Sequence, residues 1–207
     1  MNPPTRKRLP WVLILIAAAG GVLFVVTRRH PVQPTPPLTE LHRTNLVLQA
    51  GCWRLPGTTN LFTGLLLDTY EDGTRKSLSM VSNGLLQGLS QGWYTNGQQQ
   101  VEEHFIAGTS HGLRTKWHPN GQKFSEVPIV EGQLHGSFRR WDEQGALTEE
   151  IEMKAGQPDG LSRGYYPSGS LRAEARLEQG RVIKSQQWKD GEKARPAAQP
   201  SGSKPAA

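Results

Sequence analysis

The sequence predicts an all-β chain: an elongated antiparallel meander of tandem 24-residue hairpin repeats, preceded by a single N-terminal transmembrane helix. Three observations predict it. Three glycine series share one 24-residue period over five cycles. The strand-length runs between them end in Asp-Gly, Asn-Gly or Ser-Gly pairs, which mark hairpin turns. An apolar run with basic flanks opens the chain.

The repeat is the strongest signal. Gly64, Gly88, Gly112, Gly136 and Gly160 open successive units. Gly73, Gly97, Gly121, Gly145 and Gly169 mark a first turn, and Gly84, Gly108, Gly132, Gly156 and Gly180 a second. Other residues keep the same period: Leu65, Leu89, Leu113 and Leu161 (Ser137 interrupts); Trp93, Trp117, Trp141 and Tyr165; Glu102, Glu126, Glu150 and Glu174; and Val81, Phe105, Ile129, Met153 and Leu177. Leu46 to Phe62 reads as a degenerate opening unit, and Trp188 to Gly191 as a shortened closing one. One hairpin is marginal by itself, so neighbouring units must share the folding energy.

The turn chemistry predicts register. Pro119-Asn120-Gly121 and Pro167-Ser168-Gly169 place proline first and glycine at the left-handed position, the pattern of a three-residue loop with a bulge. That loop sets Leu113 opposite Val127 and Arg114 opposite Glu126. It predicts one apolar face built from the leucine, aromatic and second apolar series.

At the N-terminus, Arg6, Lys7 and Arg8 precede the apolar run Trp11 to Val26, and Arg28 and Arg29 close it. A signal peptide cleaved near Ala17-Ala18-Ala19 competes with an uncleaved anchor. Continuation of the run through Val22 to Val26 favours the anchor. The resulting division is a basic cytoplasmic N-terminus (1–9), a transmembrane helix (10–27), a Pro-rich linker (28–45), the repeat domain (46–191) and a disordered tail (192–207). Basic flanks place the repeats on the extracytoplasmic side, the periplasm in a Gram-negative cell.

Composition excludes several classes. The net charge of +6 comes without a basic cluster interleaved with aromatics, so nucleic acid is not an expected partner. Cys52 is the single cysteine, which rules out an intrachain disulfide and a multi-cysteine metal site. His111 and His135 stand two strands apart, about 10 Å, too far to share an ion. The glutamate series has a separation compatible with paired carboxylates, but a structural cross-strand role is the simpler reading. No catalytic, cofactor-binding or metal residue is expected. The candidate binding face is Trp93, Trp117, Trp141 and Tyr165.

The set Gly88-Leu89, Trp93-Tyr94, Asn96-Gly97, Phe105, Gly108 and His111-Gly112, returning as Gly112-Leu113, Trp117, Asn120-Gly121, Gly132 and His135-Gly136, resembles the MORN repeat. It is similar to the bacterial variant found in proteins labelled YwqK-like antitoxins. The resemblance implies a β-hairpin array used for protein or lipid contact. The expected function is a membrane-anchored protein-binding scaffold. The alternative is a structural envelope protein that self-associates or contacts lipid or glycan. An enzyme is not expected.

Overall fold

The computed structural model describes residues 38–196. Before the regular array come β1 (Glu40–His42), a 3-10 turn (Arg43–Asn45), β2 (Val47–Gln49), β3 (Cys52–Arg54), β4 (Gly64–Thr69) and β5 (Arg75–Ser82). The array continues through β6 (Leu85–Trp93), β7 (Gln99–Ile106), β8 (Thr109–Ser110), β9 (Gly112–Trp117), β10 (Lys123–Val130), β11 (Gln133–Leu134) and β12 (Gly136–Trp141). It ends with β13 (Leu147–Lys154), β14 (Gln157–Tyr165), β15 (Leu171–Glu178) and β16 (Arg181–Gln187). From β4 to β16 the strands pair antiparallel within one 14-stranded sheet in the order β4-β5-β6-β7-β9-β10-β12-β13-β14-β15-β16, with β8 pairing β7 and β11 pairing β10. β1 adds to the β4 edge in parallel, and β2–β3 form a separate hairpin.

The all-β meander stands, but the transmembrane helix is corrected. Among the described residues no helix is long and apolar enough to cross a membrane, and the 3-10 turn is the only helical element. Turns recur too closely to leave a spanning length. The expected helix at 10–27 itself lies outside the described residues, as do the 1–9 segment and most of the 192–207 tail. The single-pass membrane location, with extracytoplasmic repeats, therefore has no structural support. Glu40–His42, inside the segment read as linker, is a strand of the main sheet.

The two turns of each unit differ physically. The first is a three-residue loop, as expected: the His118 N–H donates to the Gln122 carbonyl around Pro119-Asn120-Gly121, and Gly121 has φ +84°. The second is a two-residue loop with positive φ at both positions, Asn83-Gly84, Ala107-Gly108, Glu131-Gly132, Ala155-Gly156 and Gln179-Gly180. This type I′ geometry matches the right-handed twist of the strands it joins.

The expected register is overturned. Trp117 faces Lys123 near the loop, but Lys116 then faces Ser125, leaving Phe124 as an extra residue. That one-residue bulge shifts everything beyond it, so Leu113 faces Pro128 and Arg114 faces Val127. Equivalent shifts recur at Asp68/Thr69, Gly92/Trp93, Arg140/Trp141 and Gly164/Tyr165.

The single apolar face is corrected as a consequence. Val81, Phe105, Ile129, Met153 and Leu177 face the unit-opening glycines Gly64, Gly88, Gly112, Gly136 and Gly160 on one side of the sheet. The leucine series lies on the reverse side with the glutamates. Ile129 is 1% exposed and Leu113 48%. The unit-opening glycines do not sit in turns: Gly112 and Gly136 begin strands just after His111 and His135, where the pairing slips between β8 and β9 and between β11 and β12.

Two buried clusters hold the ends. Leu46, Phe62, Leu66 and Val81 pack with Leu41, Trp53 and Leu86, so the opening segment caps the first unit. Leu147, Tyr165 and Leu171 pack with Trp141 and Trp188.

Candidate binding surfaces

Across one face runs a lateral row in which each residue stands opposite the next: Gln91, Glu102, Thr115, Glu126, Arg139, Glu150, Arg163, Glu174 and Gln186. The Arg139 Nε donates to Glu150 at 2.9 Å and its Nη1 lies 4.0 Å from Glu126. The Arg163 Nε donates to Glu174 at 2.8 Å, with Nη1 3.9 Å from Glu150. The hydrogen bond to Glu174 raises the Arg163 pKa above its ordinary value. These glutamates are therefore charge-paired across the strands.

The reverse face carries an open groove of about 620 Å³ between two units. Tyr94, Val101, Phe124 and Trp117 supply its apolar lining, and Glu103, Arg114 and Lys116 its charges. The bulge places Phe124 there, edge-on to His118 with ring centroids 4.9 Å apart. The Arg140 guanidinium stacks over Phe124 at 5.8 Å and Phe138 at 5.4 Å. Glu103 accepts hydrogen bonds from Ser110 and Arg114. The Arg114 Nε is buried and has no hydrogen-bond partner among the described residues. An unpaired buried donor of this kind is costly.

The aromatic series does not form an open platform. Trp93, Trp117 and Trp141 are half-buried and Tyr165 is 4% exposed. Arg75 covers Trp93, Lys123 covers Trp141 and Arg195 covers Tyr165. Burial, then the nearby Glu150, raises the Tyr165 pKa. Of the four, Trp117 alone borders the groove.

A second aromatic period escaped the sequence reading. The side chains of Tyr70, Tyr94, His118 and Tyr166 donate to the carbonyls of Trp93, Trp117, Trp141 and Trp188 at 2.7–3.0 Å. Each bond ties one unit to the next. Asn96 and Asn120 do the same from the turn tips, donating to the carbonyls of Pro119 and Glu143 at 2.8 Å. The 24-residue spacing was the available signal for both. His111 and His135 are exposed and use their backbone N–H groups to bridge the strand slips. Among the described residues no group of three or more His, Cys, Asp or Glu side chains could hold a metal ion.

No curated protein matches the chain. Two solved structures show low similarity. A mutant of S. aureus TarM in complex with fondaparinux, α-GlcNAc-glycerol and UDP has TM-score 0.32 and 11% identity, over 47% of this chain and 19% of that one. A second TarM structure has TM-score 0.33 and 9% identity, over 53% and 21%. The chain thus spans about a fifth of their length. MORN repeats typically mediate protein or membrane binding, and the family model described as a MORN repeat variant matches residues 110–130 and 158–177, two units of this array.

Proposed function

We propose that this chain is a non-catalytic protein-binding module whose groove face captures a segment of a partner. The observation that carries the reading is the groove between units two and three, where Tyr94, Val101, Trp117 and Phe124 stand beside Glu103, Arg114 and Lys116. Aromatic walls supply apolar contact area at low conformational cost, and the exposed Lys116 supplies a charge beside them. Glu103 is occupied by Arg114 and Ser110, which supports a recognition role for it in place of acid-base work. The antitoxin activity named by the resembling family is not included in this function.

The test places a photocrosslinking amino acid at Gln100, an exposed residue on the groove rim. One discrete protein adduct is expected, disappearing in Phe124→Ala. Adducts formed only with a second copy of the chain replace this reading with a self-associating structural protein. An adduct pattern indifferent to Phe124→Ala overturns the groove as the site.

A further inference from the structure

We infer that the terminal strand β16 is a strand-addition site for an extended, acidic segment of a protein partner. The inference rests on the protein-binding reading but not on the groove.

The two ends of the sheet are unlike. At one end β1 covers β4, and the capping cluster buries Leu66 and Val81. At the other, among the described residues β16 pairs with β15 alone, and all seven of its residues are exposed. Val182 and Ile183 are 61% and 57% exposed, the highest values for large hydrophobics among the described residues. Val182 faces Leu177, the last of the periodic apolar series, so that series meets solvent here. The Trp188 N–H donates to the Arg172 carbonyl at 3.0 Å. Antiparallel alternation from that bond turns the N–H and C=O groups of Ser185 and Gln187 away from β15. An unpaired row of this kind is a template for another strand.

Charge selects the occupant. Lys184 stands opposite Arg176, a like-charge pair. Neither these two nor Arg181 forms an ion pair among the described residues. The parts of the chain outside those residues, 1–37 and 197–207, contain no Asp or Glu side chain. Two copies of β16 paired antiparallel about Lys184 would set lysine against lysine, which is destabilising. A segment alternating carboxylates with apolar side chains satisfies both requirements: carboxylates beside Lys184 and Arg176, apolar groups beside Val182.

The experiment titrates the full-length chain with two labelled seven-residue peptides, one alternating Glu with Val and one alternating Lys with Val, followed by fluorescence anisotropy. The acidic peptide is expected to bind one per chain, weakening with salt. Lys184→Glu is expected to weaken it about tenfold or more, since rim charge reversal acts on complementarity. Ser185→Pro is expected to do the same by removing an outward donor while sparing the bonds to β15. Bound peptide also slows amide exchange at Ser185 and Gln187 in the unmutated chain. Phe124→Ala leaves all of this unchanged, which separates failure here from failure of the groove. Equal binding of both peptides, unaltered exchange at Ser185 and Gln187, or sedimentation showing β16 already occupied by a second copy would each overturn the inference.

Discussion

Ile129 stands directly opposite Gly112 across the β9–β10 pair, and the same pairing of an apolar residue with a unit-opening glycine recurs in all five units. The glycine leaves its side of the ladder bare, and the branched side chain is buried to 1% exposure. The leucine one residue along, Leu113, points to the other face.

Substitution separates the two faces. Ile129→Ala is expected to destabilise by about 2–5 kcal/mol, the range for a buried aliphatic truncation. Leu113→Ala, at 48% exposure, is expected to stay within about 0.5 kcal/mol. Urea melts of the two variants check this. Equal losses would restore the single apolar face that the sequence suggested.

Gly64 tests the capping end. A Cβ there runs into the Thr39 carbonyl oxygen and lies 2.7 Å from the Phe62 ring. The first obstacle is backbone, so Gly64→Ala forces β1 from the sheet edge. Thermal unfolding is expected to show a loss of about 1–3 kcal/mol, the usual cost of overpacking, and exchange protection at Leu65, whose N–H donates to Thr39, disappears.

The type I′ turns offer a gain. Ala155 holds φ +47° ahead of Gly156, a conformation that costs an L-residue with a Cβ roughly 1–2 kcal/mol. Ala155→Asn, the residue that turn favours first, is expected to raise the melting temperature. No change would mean that the strain is absorbed elsewhere.

The charge row predicts coupling. Glu150 contacts Arg139 and Arg163 together, so Glu150→Ala leaves two guanidiniums each with one carboxylate. Double-mutant cycles are expected to give about 0.2–1 kcal/mol per pair, because the side chains are partly solvated. The coupling should shrink in high salt.

Tyr165 supplies a pH signature. Burial and Glu150 hold its pKa above the ordinary value, so between the unfolded and folded pKa values the native state binds more protons. Stability therefore falls as pH rises above about 10, the unfolded tyrosine pKa. Tyr165→Phe is expected to remove that component of the alkaline melt and leave neutral-pH stability nearly unaltered. An identical alkaline slope in both proteins would contradict it.

By itself the sequence determined the β class, the 24-residue unit and the position of the two turns in each regular unit, because a turn is local: glycine at Gly121 or Gly156 answers a backbone requirement confined to a few residues. Tertiary structure alone decided which side chains share a face. An extra residue such as Phe124 is a property of two paired strands, and one unit of slip sends each later side chain to the opposite side. The groove and the β16 edge, unpaired among the described residues, depend on that slip and on where stacking stops, since both are assembled from strands that meet only in the folded sheet.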